Sequence, residues 1–236
     1  MPILRNVALL ALAALSIGVS GYAWHESTVT HGSAESTSVT APAALTPTQA
    51  AFIGDSYTQG KGATSAGTRW VSIVAKHEGW EALNFGRGGT GYVTTADVSG
   101  CGLQYCPSYP EMIPTVQQYR PSVIVVAGGQ NDFSAWSTDP NATAAAINDF
   151  YVKLRQVFPK ATIIAVGPST PQPTVTQPVV DFSNTVQAAA QRVNAEFVSL
   201  ISPDVIQQSD LLPDHQHVDD HGHAAIAAQI EHAIDR

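Results

Sequence analysis

Short apolar runs alternate with longer segments of three-to-four spacing along most of this chain. The runs Ala51–Ile53, Glu81–Phe85, Val123–Ala127, Thr162–Val166 and Glu196–Leu200 are brief and mostly apolar, as expected of strands covered on both faces. Helical patterns lie between them. Thr68–Glu78 carries Trp70, Ile73, Val74 and His77 on one face. Asp139–Phe158 opens with Asp-Pro-Asn, a cap followed by a first-turn proline, and stops at Pro159. Pro178–Asn194 and Gly222–Ile234 complete the set. Strand and helix in alternation imply βαβ crossovers, so the predicted class is α/β: a three-layer αβα sandwich around a mainly parallel sheet of about five strands. The Pro- and Gly-rich loops Val93–Glu111 and Gly167–Gln177 each follow a strand-and-turn unit. Both are expected at the active edge, as walls that shape a substrate site.

The pattern begins only near residue 48. Upstream, Arg5 precedes the apolar stretch Val7–Val19, and Gly21-Tyr22-Ala23 is a small-x-small cleavage site. Residues 1–23 therefore read as a signal peptide. The competing reading is an uncleaved membrane anchor, since the uncharged Asn6–Trp24 approaches the roughly 20 residues that span a bilayer. Residues 24–47 are mostly Ser, Thr, Ala and Pro and cannot bury enough surface to offset their ordering entropy. They read as a disordered linker, and 48–236 as one domain. An exported chain is expected outside the cytoplasm, secreted or at the cell envelope. It meets a membrane only if the N-terminal segment stays attached. In that oxidising setting Cys101 and Cys106, the only two cysteines, are expected to pair.

Charge narrows the partners. With 11 Lys and Arg against 19 Asp and Glu, the formal net charge is −8, and no basic cluster occurs. Nucleic acid is therefore not an expected partner, nor is an anionic membrane surface.

Gly54-Asp55-Ser56-Tyr57 directly follows the first strand. That puts Ser56 at the carboxyl edge of the sheet, where open α/β folds bind ligands. Asp and Ser are also good helix caps, so the turn alone does not decide the role. A nucleophilic serine needs a base. Four of the eight histidines fall in Asp214-His215-Gln216-His217-Val218-Asp219-Asp220-His221-Gly222-His223. This run can be read as a metal cluster at 215–223 or as an Asp–His acid–base pair. Asp-x-x-His occurs as Asp214/His217 and as Asp220/His223. The second pair puts its histidine inside the last helix, so Asp214/His217 is preferred. Oxyanion donors have two sources, Asn84-Phe85-Gly86-Arg87-Gly88-Gly89 and Gly128-Gly129-Gln130-Asn131-Asp132, although Gly and Asn are also common turn residues. Tyr57, Phe133 and Trp136 neighbour these positions and are candidates for pocket lining or for core.

In this order the motifs resemble the SGNH/GDSL hydrolase family from about Ala50 to Ile234. Gly54-Asp55-Ser56-Tyr57 is similar to its first block, with Tyr57 where Leu is usual. Gly89 lies five residues after Asn84, and Gly129-Gln130-Asn131-Asp132 is similar to its Gly-x-Asn-Asp block. Asp214-x-x-His217 followed by Gly222-His223 is similar to its last block, with Val218 and Asp219 replacing Pro and Asn. The resemblance implies a flavodoxin-like sandwich and ester hydrolysis without metal or cofactor. It implies catalysis by Ser56, His217 and Asp214, with an oxyanion hole from Ser56, Gly89 and Asn131. The expected enzyme is a monomeric, secreted serine esterase that acts on small-molecule or glycan esters, with short acyl or acetyl groups, through an acyl-enzyme on Ser56. The alternatives are a lipase or acyltransferase using the same site on lipid or glycan, and a metal-binding protein using the 215–223 histidines.

Overall fold

A computed structural model of the chain describes residues 47–236. The signal-peptide or anchor reading and nearly all of the linker lie outside the described residues. Five strands form one sheet: β1 Thr48–Gly54, β2 Trp80–Asn84, β3 Val123–Ala127, β4 Thr162–Val166 and β5 Glu196–Val198. Their spatial order is β2-β1-β3-β4-β5. Every neighbouring pair is parallel. The helices are α1 Ser56–Gln59, α2 Trp70–Glu78, α3 Val98–Cys101, α4 Tyr109–Gln117, α5 Phe133–Thr138, α6 Pro140–Val157, α7 Gln177–Arg192 and α8 Asp220–Ile234.

Successive strand residues face opposite sides of a sheet, so each strand feeds two cores. Ala51, Ile53, Ile124, Val126, Ile163 and Ala165 pack with residues of α4, α6 and α7 on one face. Ala50, Phe52, Val123, Val125, Ile164 and Val166 pack with α2 and α8 on the other. That two-sided burial explains why β1 and β3 read as apolar runs rather than as alternating ones.

The register aligns the strand ends that carry chemistry. Gly54 pairs with Ala127, which brings the turns after β1 and β3 side by side. The strand order reverses direction around β1, where the crossovers to β2 and β3 go opposite ways. Crevices form at such switch points, outside the carboxyl ends of the strands.

The expected loop Val93–Glu111 is partly helical. It contains α3 and the start of α4, which opens on a reciprocal Ser108–Glu111 capping box with a proline in its first turn. Cys101 and Cys106 are joined in a disulfide.

Candidate active site

The nucleophile turn is built on buried backbone. Ala50–Asp55 are all buried, and Asp55 caps α1 by accepting the Tyr57 N–H at 2.9 Å. Residue 54 must be glycine, because a Cβ there would collide with the Thr58 hydroxyl and stand 2.5 Å from the Ala127 carbonyl. The Gly54 carbonyl accepts the Arg87 N–H at 2.8 Å, which draws the Gly86–Thr90 segment alongside. Ser56, Tyr57 and His217 are each only 8% exposed.

The second half of the site is a loop just before α8. Asp214 Oδ1 accepts the backbone N–H groups of Gln216 and His217, each at 3.0 Å. Its Oδ2 lies 2.7 Å from His217 Nδ1, and His217 Nε2 lies 3.0 Å from Ser56 Oγ. The His217 N–H, and then the imidazole, hold the Asp214 carboxyl well below the usual carboxylate range. An ionised Asp214 accepts only, so Nδ1 carries the proton and Nε2 is left to accept from the serine hydroxyl. The Leu212 N–H donates to the His217 carbonyl at 2.7 Å and closes the loop.

Two of the other three histidines of the 215–223 run have partners elsewhere. His221 Nδ1 faces Asp210 at 2.9 Å. His223, buried within α8, faces the Lys61 carbonyl at 3.1 Å. His215 is exposed. The 215–223 cluster expected on the metal-binding alternative is therefore dispersed, because α8 begins at Asp220 and points its successive side chains in different directions. Among the described residues, His77, Glu78 and Asp235 form the one His/Asp/Glu group close enough to share an ion, and none of them belongs to that run.

Asn131 sits in the tight turn after β3, where Gly128 (φ 128°) and Gly129 (φ 111°) adopt backbone that side chains disfavour. Its Nδ2 donates to the Thr90 carbonyl at 2.9 Å, and the residue lines the same cavity as Ser56, His217 and Asp214. Next to it, buried Asp132 accepts the Tyr92 N–H at 2.7 Å, the Thr94 N–H at 3.0 Å and the Thr94 hydroxyl at 2.7 Å. Two buried carboxyl groups thus shape the turns around the cavity, Asp132 from the β3 turn and Asp55 from the β1 turn. Burial pushes the Asp55 carboxyl up to about 7, with the nearby Asp132 charge adding to the rise. Its Oδ2 has no hydrogen-bond partner.

Gly89 takes a left-handed φ of 77° and packs against Ala96 and Gly100. It lines a neighbouring cavity of about 420 Å³ with Ala96 and Tyr105, not the main one. The main cavity holds about 700 Å³, with Gln130, Phe133 and Trp136 on one side and Gln172, Val179 and Gln216 on others. Of the two expected wall loops, Gly167–Gln177 borders this cavity. Residues 93–111 border the smaller one instead. They are folded back by the Asp132 bonds, the Ala96–Cys106 bridge and the disulfide.

Phe133 and Trp136 do both things expected of them. They line the cavity and each stacks edge-on against Phe182, with ring centroids 5.4 Å apart. Tyr57 also lines the cavity, and its hydroxyl donates to the Gln216 carbonyl at 2.6 Å. Gln216 and the Thr90 carbonyl act here through backbone atoms, which side-chain identity does not announce.

Residues 52–225 match the profile of the GDSL-like Lipase/Acylhydrolase family. A GDSL lipase of Mycobacterium tuberculosis (strain ATCC 25618 / H37Rv), Rv0518, is 24% identical over 188 residues, covering 76% of this chain and 78% of that protein. Among solved structures, TesA superposes with a TM-score of 0.62 at 16% identity, covering 79% of this chain and 97% of that one. A carbohydrate esterase family 2 enzyme of Corynascus thermopiles (Myceliophthora fergusii), carrying a carbohydrate-binding domain, superposes at 0.62 and 22% identity. That match covers 82% of this chain and 68% of the other.

Proposed function

Because the chain belongs to the GDSL-like lipase/acylhydrolase family and is a carboxylic ester hydrolase, we propose that it works through an acyl-enzyme on Ser56. The observation that carries this reading is the unbroken line from Ser56 Oγ to His217 Nε2 at 3.0 Å and from His217 Nδ1 to Asp214 at 2.7 Å. Ser56 Oγ attacks the acyl carbonyl as Nε2 takes its proton. Asp214 holds the ring in the required tautomer and stabilises the imidazolium. His217 then passes the proton to the departing alkoxide, which leaves as the alcohol. Water, with His217 again as base, attacks the acyl-serine and releases the acid. The developing oxyanion is received by the N–H of Ser56 and by the second amide proton of Asn131, whose first is held by Thr90, whereas Gly89, the third donor that the resemblance implies, lines the neighbouring cavity.

The substrate we propose is a short-chain or acetyl ester of a polar molecule such as a glycan. The cavity supports this: glutamines 130, 172 and 216 border it beside Trp136, an apolar face with polar neighbours. Its resemblance in fold to a carbohydrate esterase agrees with that reading. The signal-peptide pattern of residues 1–23 supports the further reading that the enzyme is exported.

The decisive experiment is labelling with a fluorophosphonate probe. Wild type is expected to be labelled at one site and Ser56→Ala not at all. Persistent labelling of the variant would sink the assignment. Rates on p-nitrophenyl esters are expected to fall as the acyl chain lengthens, and a long-chain optimum would overturn the substrate reading. Mass spectrometry of the exported protein is expected to find an N-terminus near residue 24. A retained Met1 would overturn the cleavage reading.

A further inference from the structure

Tyr57 is the residue immediately after the serine, and its phenol reaches across the site to the loop that carries His217. The hydroxyl donates to the Gln216 carbonyl at 2.6 Å, a contact between residues 159 positions apart in the chain. That carbonyl belongs to the same peptide unit as the His217 N–H, which donates to Asp214 Oδ1 at 3.0 Å. The peptide plane just before the base is therefore gripped at both ends, by a carboxylate at its N–H and by a phenol at its C=O. Tyr57 is itself anchored, since its N–H is held by the buried Asp55 at 2.9 Å. Its ring lies 6.1 Å from the His217 ring, tilted by 37°.

We propose that Tyr57 is a positioning residue that sets the orientation of the base, His217, relative to Ser56 by fixing the 216–217 peptide. The inference rests on Ser56 and His217 being nucleophile and base. Asp214 holds that peptide at its N–H end and the Leu212–His217 bond closes the loop, while the Gln216 carbonyl is held among the described residues by the Tyr57 phenol. His215, two residues before the base, sits at φ 55°, left-handed backbone that is uncommon outside glycine, so the chain turns sharply just before the base. The phenol ties the carbonyl end of that peptide to the Ser56 turn. Burial raises its pKa further above the ordinary tyrosine value, so it remains a donor wherever the enzyme is folded. The Gly54-Asp55-Ser56 turn and the base loop lie about 160 positions apart in the sequence, and Tyr57 is a direct hydrogen-bonded brace between them besides the Ser56–His217 contact itself. A leucine at this position, the residue usual in the first block of the family, would keep apolar contact and lose the brace.

The test compares Tyr57→Phe, which removes one oxygen and keeps the ring, with Tyr57→Leu, which removes both. A misplaced base costs turnover rather than binding. Both variants are therefore expected to lose about tenfold in kcat with KM within about twofold, and to be labelled by fluorophosphonate about tenfold more slowly. Amide exchange over residues 212–218 is expected to speed up in both. Three results would overturn the inference: Tyr57→Phe behaving as wild type while Tyr57→Leu fails, which assigns the effect to ring packing; a rise in KM at unchanged kcat, which makes Tyr57 a pocket wall; or unchanged exchange in the base loop. Ser56→Ala separates this from the reading beneath it. If that variant stays active, the acyl-enzyme assignment fails. If it is dead while Tyr57→Phe is normal, only the brace fails.

Discussion

The Ser56 turn and the Asp214–His217 loop meet across 3.0 Å, yet they are held in place by opposite means. The turn is buried, backed by β1 between β2 and β3, and shaped by close backbone approach at Gly54. The loop lies at the surface, where the Asp214 side chain is 42% exposed, and side-chain hydrogen bonds hold it. Each half carries a carboxylate, and the two environments drive them apart. Asp55, fully buried with one oxygen unpartnered, is pushed up to about 7. Asp214, exposed and offered three N–H donors, is pushed down. Burial raises a carboxyl pKa and hydrogen bonding to the anion lowers it. The carboxyl that reaches the imidazole is kept outside and ionised, and the one that shapes the turn is buried.

The largest expected effect comes from cutting the link between the halves. Ser56→Ala should lower kcat by about 10⁶-fold with the fold intact, judged by circular dichroism. Adding Asp214→Asn to it should cost almost nothing more, because residues that act as a unit are not additive. A large further loss would mean that the halves work separately. Asp214→Asn alone should lower kcat by about 10⁴-fold, since an amide no longer enforces the tautomer that leaves Nε2 free. A loss below tenfold would demote Asp214 to a loop cap. Asn131→Ala should cost about 10²–10³ in kcat with KM little changed; unchanged turnover would remove it from the oxyanion hole.

The smallest effect separates the two carboxylates by stability rather than by rate. Asp55 has a folded pKa of about 7 against an ordinary value of 3.8. The folded state therefore binds more protons between those values. The stability this group contributes is present below about pH 4 and is lost as pH rises through about 7. Asp55→Asn keeps an acceptor for the Tyr57 N–H and removes the buried charge. In urea unfolding at pH 8 it should be more stable than wild type by up to about 4 kcal/mol, at about 1.4 kcal/mol per pKa unit. At pH 4 the two should converge. Asp214 has the opposite sign: its contribution is present above its unfolded value and fades as pH falls. Parallel pH curves for Asp55→Asn and wild type would erase the contrast.

Much of the fold was legible because local pattern and tertiary burial agree. Val123–Ala127 is apolar throughout and becomes a strand buried on both faces. Asp139-Pro140 starts α6 as its capping chemistry predicts, with Asp139 accepting the Ala142 N–H at 3.0 Å. Strand limits were less legible. β1 extends to Thr48–Gly54 rather than Ala51–Ile53, because pairing with β2 recruits polar Thr48 and Gln49. β5 ends at Val198, where its pairing with β4 stops. Helix α4 was hidden by Pro110 and Pro114, although the Ser108–Glu111 spacing was its readable signal.

For the site, the sequence by itself determined which residue types were available and in what order: a serine on a strand-end turn, two Gly/Asn turns, and an Asp-x-x-His before the last helix. Those follow from local rules, since a turn or a cap depends on a few neighbouring residues. Only the tertiary structure decided which atoms face one another. It dispersed the four clustered histidines and set Gly89 against the disulfide loop. It also aimed the Tyr57 phenol at a backbone carbonyl 159 positions away. Such pairings depend on strand order and on the direction in which each helix presents its side chains, and neither is encoded in any short stretch of chain.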